Sequence, residues 1–236
     1  MRYLPLILAN LCLACGAATV IAPGDDLARQ VAEHHGLGQW ETVESLRWTF
    51  NAELPGVSVR RAWEWEPASE QVTLHEASGD DVETPFTFNH RSVGPDSPAA
   101  VRTVDEWFIN DSYWLIFPFH LVWDENTTLS DDGMQPLPIG DGEARRLTIT
   151  YGDVGGYTPG DTYRLSLDDQ SNILQWTYNR GGITPPLSFT WNERSQLGPL
   201  VIYLDHRRDG LLSAHVWFSD VSAVVEGERI EPEPLD

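Results

Sequence analysis

From Leu46 to Phe218 the hydrophobic pattern of this 236-residue chain repeats every two residues, and this constrains its fold more than any other feature. Leu46, Trp48 and Phe50 alternate with Arg47, Thr49 and Asn51, and Trp63 and Trp65 alternate with Glu64 and Glu66. Successive side chains of a strand point to opposite faces, so each run describes a strand with one dry and one wet face. The alternation returns at Val72-Leu74, Phe86-Phe88, Leu147-Ile149-Tyr151, Tyr163-Leu165-Leu167, Leu174-Trp176-Tyr178, Phe189-Trp191, Leu200-Ile202-Leu204 and Val216-Phe218. Turn formers separate the runs: Ser78-Gly79-Asp80-Asp81, Gly155-Gly156, Asp168-Asp169-Gln170-Ser171, Gly181-Gly182 and Asp209-Gly210. About ten strands in hairpin succession predict an antiparallel meander. No alternation of strand and helix units is visible, which argues against a doubly wound α/β fold.

Two segments depart from this period. After Pro23-Gly24, Asp25 is placed to cap a short helix carrying Leu27, Val31 and His34 or His35 on one side, with Gly36 or Gly38 as its stop. Between Val101 and Trp123, the first part (Val104, Trp107, Phe108) suits a helix. The second part, Tyr113 to Trp123, is almost continuously apolar and contains Pro118, which breaks long helices. Such a segment lies inside a protein or covers an apolar surface. It is too short to span a bilayer.

The first residues read as a targeting segment. One positive charge at Arg2, an apolar run from Leu4 and a small-residue zone ending near Ala18 match a secretory signal over residues 1–22. Leu13-Ala14-Cys15-Gly16 resembles the end of a bacterial lipobox, which would make Cys15 the lipidated first residue of the mature chain. Cys12 stands where such motifs carry Leu, so ordinary cleavage after Ala17 or Ala18 is the alternative. Both cysteines lie in this segment, so either cleavage leaves at most one and no intramolecular disulfide. The expected division is a signal peptide at 1–22, one β-rich domain at 23–225 and an acidic, fraying tail at 226–236.

Hydrophobic residues make up 41% of the chain and include 10 Trp, enough for a substantial core. The formal charge is −21, and all 15 basic residues are Arg. Such a surface repels phosphate backbones, so nucleic acid is not an expected partner. The lack of Lys fits either a GC-rich genome or a salty habitat.

No Gly-x-Ser-x-Gly elbow, His-Glu-x-x-His helix, phosphate-binding loop or Cys-x-x-Cys pair occurs. His34-His35 point in different directions on a helix and read as two solvated side chains, and His120 reads as a core histidine bonded to a carbonyl. Asp205-His206 permits a hydrolase reading, although the string around it suits a charged hairpin end. The doublets Asp80-Asp81, Asp131-Asp132 and Asp168-Asp169 lack the spacing of a calcium loop and read as turn caps. Neither metal nor cofactor is expected. The aromatic residues are more informative, because a curved sheet uses wide rings to line an apolar concave face. Trp48, Phe50, Trp63, Trp65, Trp107, Trp114, Phe117, Phe119, Trp176 and Trp191 are the candidate ligand-binding residues. The alternative is that they fill an ordinary core.

The N-terminal helix, the meander and the central apolar segment together resemble the LolA/LolB-like lipoprotein-carrier superfamily, as does the strand–turn–strand from Asp161-Thr162-Tyr163-Arg164 to Leu174-Gln175-Trp176-Thr177-Tyr178. Asn110 to Asp124 and Gly155 to Asp161 also resemble an uncharacterised family of exported bacterial proteins. The superfamily resemblance implies an unclosed β-barrel with helices plugging its mouth, and a non-enzymatic monomer that binds an acyl chain or another apolar ligand. It also implies a place in the bacterial periplasm or at the outer membrane, with a membrane anchor if Cys15 is acylated. The competing readings are an envelope hydrolase and a purely structural envelope protein.

Overall fold

The computed structural model describes residues 22–235, except 79–81, 155–156, 158, 183–184 and 211–212. Cys15, the targeting segment, and the turn residues at 79–81 and 155–156 lie outside the described residues.

Helix α1 (Pro23–His34) starts two residues before Asp25. Pro23 occupies its first turn with the fixed φ that a helix needs there, and Asp25 and Asp26 lie in that turn, where carboxylates favour the positive end of the helix dipole. Leu27, Ala28, Val31 and Ala32 are buried. The backbone then turns at Gly36, whose φ of +107° is left-handed and whose missing Cβ leaves room for the Pro199 carbonyl. A single 3-10 segment, Leu37–Thr42, leads into the sheets.

Strands β1 (Val43–Leu54), β2 (Val57–Glu66), β3 (Gln71–Ser78) and β4 (Phe86–Asn89) form a meander. Helix α2 (Ala99–Trp123) follows, and then β5 (Thr127–Pro136), β6 (Glu143–Tyr151), β7 (Thr162–Leu167), β8 (Ile173–Asn179) and β9 (Leu187–Thr190). Only Trp191 separates β9 from β10 (Asn192–Leu197). Strands β11 (Leu200–Arg208) and β12 (Ala214–Val225) come next, with the short β13 (Glu228–Ile230) and β14 (Glu233–Pro234) at the end. All pairings are antiparallel.

One sheet runs β5-β6-β7-β8-β9 and the other β14-β10-β11-β12-β1-β2-β3-β4, with β13 on β12. The chain crosses between them at Trp191, whose N–H donates to the Leu174 carbonyl. Beside the crossing, Thr190 Oγ1 lies 3.2 Å from the Arg207 backbone N–H. The two sheets therefore follow one another as a curved, unclosed barrel with its free edges at β5 and β4. Helix α2 joins those two edges in sequence and lies against the concave face.

Three expectations change. Pro118 does not end the helix: α2 continues through it with a kink marked by non-helical angles at Ile116 (φ −123°, ψ 20°). A proline inside a helix removes one backbone donor, and here the lost bond is that to the Trp114 carbonyl. The acidic tail is paired, because Ile230 registers with Ala223 and Pro234 with Ser195. His35 is not solvated: it is fully buried, and its Nδ1–H donates to the Val31 carbonyl at 2.7 Å. Among the described residues no helix is long and apolar enough to cross a membrane.

Candidate ligand site

The concave face is built by the alternation seen in the sequence. Leu46, Trp48 and Phe50 on β1 and Trp63 and Trp65 on β2 all turn inward and are buried. Tyr163 on β7, Trp176 on β8 and Trp191 at the sheet crossing do the same. Helix α2 meets both walls. Phe108 sits 5.9 Å from the Trp48 ring and 5.7 Å from those of Trp63 and Trp65. One to three turns further on, Trp114 lies 4.6 Å from Trp176 and 4.8 Å from Phe189, and Phe117 lies 5.2 Å from Tyr163. The apolar segment is thus the filling of the barrel rather than a cover over an empty one.

Polar groups fix the helix. Arg61 shares the inward face of β2 with Trp63 and Trp65, and its Nε and an Nη donate to Asp111 at 2.7 and 2.8 Å. Trp63 Nε1–H donates to the same carboxylate at 2.9 Å. Asp111 is fully buried, which pushes its carboxyl up, while Arg61, Asn110 and Trp63 oppose that shift. Near the helix start, Asp105 accepts from His90 Nδ1–H at 2.6 Å and from the Tyr157 hydroxyl. Past its end, Asp124 accepts from the Tyr113 and Tyr151 hydroxyls at 2.5 and 2.6 Å and lies 2.9 Å from His120 Nδ1. Burial raises the Asp124 carboxyl, yet the bonds from His120, Tyr113 and Tyr151 outweigh it and hold the group below the usual carboxylate range. His120 is therefore bonded to a side-chain carboxylate, not to the carbonyl expected from sequence.

Clefts remain on the flanks of α2. The first, of about 350 Å³, lies between Trp114, Tyr113 and Ile109 on the helix and Tyr163, Trp176 and Tyr178 on the sheet. The second, of about 410 Å³, is walled by Trp40, Trp65, Phe108, Ile116 and Trp123 and includes His120. A third, of about 730 Å³, shares Tyr113 and Tyr157 with the first and His90, Trp123 and Asp124 with the second. Together they form a broken trough along the helix. Each is of the size that small-molecule sites have.

Of the ten candidate residues, Trp114 and Trp176 line the first cleft and Trp65 the second. Trp48 and Trp63 border a depression with Arg47, Arg60 and Glu76. Phe117, Phe119 and Trp191 are buried in ring contacts, Phe50 packs against Phe218, and the half-buried Trp107 lies under the Arg61 guanidinium at 5.1 Å. Sequence reasoning missed Trp40, Phe108, Ile116, Tyr163 and the Arg61–Asp111 pair. An Arg at an inward position of β2 and an Asp three residues after Phe108 on an apolar helix face were the available signals.

The Asp205-His206 pair is not assembled. Neighbours on a strand face opposite ways, so Asp205 bonds Arg207 and His215 on one face while His206 is buried on the other, 4.7 Å from the Trp191 ring. Burial lowers the His206 imidazole to about 3. The turn reading of Asp168 holds, since it accepts from the backbone N–H groups of Gln170 and Asn172.

No family model matches the sequence, and no curated protein matches it. Among solved structures, the chain is similar to a DUF1329 family protein from Desulfovibrio piger, with a TM-score of 0.46 and 9% identity over 84% of this chain and 90% of that one. It is also similar to a LolA superfamily protein from Nitrosomonas europaea, with a TM-score of 0.46 and 10% identity over 85% of this chain and 93% of that one.

Proposed function

We propose that this chain binds an apolar ligand, an acyl chain or a comparable lipid tail, in the trough along α2, and that it does so as an exported protein of the bacterial cell envelope. The observation that carries the reading is a long aromatic helix lying against the concave face of a curved sheet, with clefts of about 350 and 410 Å³ left between helix and sheet. Trp114, Trp176 and Trp65 are the walls that a tail would touch. Burying ten methylenes gains about 8 kcal/mol, which exceeds the lower range of association costs, about 4 kcal/mol. The signal-like residues 1–22 support export, and acylation of Cys15 would tether the domain to a membrane. The role is that of a carrier or receptor and not of a catalyst.

Native mass spectrometry of the chain purified without detergent tests the reading. Adducts of lipid mass, or saturable uptake of the neutral fluorophore N-phenyl-1-naphthylamine, are the expected results. A chain that emerges bare and takes up no fluorophore overturns the proposal, and α2 is then simply a permanent part of the core.

A further inference from the structure

Helix α2 divides the trough lengthwise. Up to the kink at Ile116, residues Glu106, Asn110 and Trp114 line the first cleft and not the second, while Phe108, Ser112 and Ile116 line the second and not the first. Residues four apart form one stripe along a helix, and these two stripes stand two positions, about 160°, apart around it. Ile109 and Tyr113 make the ridge between them. Ile109 borders both clefts, and Tyr113 borders the first and the third. Asp111 is two positions on from Ile109, so it leaves the helix on the side away from this ridge, where Arg61 holds it. The two clefts therefore lie on either side of a helix that is fastened from behind.

The third cleft joins the two, since it shares lining residues with each. Polar side chains gather there: Arg91, Asp124, Glu125 and Asn126. The flanking clefts instead offer aromatic walls, Trp114 and Trp176 in one and Trp65 and Phe108 in the other. One apolar tail covers the walls of one cleft and leaves those of the other wet. Two tails joined at a single head cover both, and they bear the cost of association once, because the second tail binds at the effective concentration that the joint imposes. The formal charge of −21 disfavours an anionic head.

We propose that the ligand of this chain is a two-tailed amphiphile that straddles α2, with one tail in the first cleft, the other in the second, and an uncharged or zwitterionic head in the third. This rests on the reading of the chain as a binder of apolar ligands. The volumes of the flanking clefts, about 350 and 410 Å³, suit tails of similar length.

Blocking one cleft at a time tests the assignment. Native mass spectrometry of the full chain with diheptanoylphosphatidylcholine and with lauroyl-lysophosphatidylcholine, each below its micellar concentration, compares two tails with one under the same head. Wild-type protein is expected to bind a single diheptanoyl lipid. Glu106→Trp fills the first cleft from an exposed helix position, and Ser112→Leu fills the second. Each variant alone should weaken the diheptanoyl lipid about a hundredfold, the loss expected when one of two linked contacts is removed. Each should leave the lysolipid within a few-fold of wild type, because the other cleft stays open to its one tail. A variant that binds the diheptanoyl lipid as wild type does overturns the straddling arrangement, since both tails then share the other cleft. A variant that loses the lysolipid as well overturns it too, since a single tail then needs both clefts, and so do two diheptanoyl lipids on one wild-type chain. Uptake of N-phenyl-1-naphthylamine without either lipid overturns the two-tailed ligand and leaves the apolar-ligand reading standing. Failure of all three to bind overturns both.

Discussion

The two flanks of α2 are held by different physics. On the side of β1 and β2, a buried ion pair from Arg61 to Asp111 sets the position of the helix, backed by the Trp63 N–H and by Phe108 among three indoles. On the side of β7, β8 and β9, the contacts are ring on ring, with Trp114, Phe117, Tyr163, Trp176 and Phe189 between 4.6 and 5.2 Å apart in successive pairs. Charged hydrogen bonds are directional and fail as a unit, whereas ring contacts are tolerant of small shifts. A ligand tail would therefore be expected to widen the ring-lined flank while the helix keeps its register on the other.

The largest effect should come from breaking the first flank. Arg61→Met leaves Asp111 buried without its cation and should lower unfolding free energy by about 3–5 kcal/mol, read from the urea midpoint. The double variant Arg61→Met with Asp111→Leu should recover much of that loss, since no charge is then left stranded. A single variant as stable as wild type would show that the ion pair does not anchor the helix.

Acid acts on the opposite flank and on α1. His206 packs against Trp114 and Trp191, and His35 is the buried C-cap of α1; burial pushes them down to about 3 and about 4. In the unfolded chain both titrate near 6.5, so between that value and about 4 the unfolded state binds more protons than the folded one. Stability is then complete above pH 6.5 and falls as the pH drops, by about 3 kcal/mol per histidine at pH 4. His206→Phe should flatten this slope between pH 6.5 and 4. An unchanged slope would remove His206 from the account.

Conservative changes at the rings should matter least. Phe117→Leu keeps most of the volume and should cost about 1 kcal/mol, while Tyr151→Phe removes one of three donors to Asp124 and should cost a similar amount. Both are measured by thermal midpoint. A loss of several kcal/mol from Phe117→Leu would mean that the ring-lined flank is as exacting as the charged one.

Much of this fold was legible because strands announce themselves locally. The inward residues named on β1, β2 and β7 were read from alternation alone, as was the amphipathic face of α1, whereas on β8 the alternation took in Leu174, which is exposed, and passed over the buried Ile173. The central helix was only half legible. Pro118 argued for a break, and nothing local shows that a kink at Ile116 lets the helix continue against two walls. The site was less legible still: Arg61 and Asp111 are 50 residues apart and meet only in the closed fold. The hydrolase alternative at Asp205-His206 finds no assembled pair, because adjacency in sequence means opposite faces on a strand. The pairing of β13 and β14 depends on edges that no local pattern shows.

The central claim is that an apolar tail lies along α2 inside the unclosed barrel. A crystal structure of the full chain with 12-bromododecanoic acid tests it directly, because the anomalous signal of the bromine marks the end of the tail without interpretation. The account predicts a bromine peak beside α2 within the trough. A peak confined to the convex face, or no peak with α2 packed as described here, would contradict it.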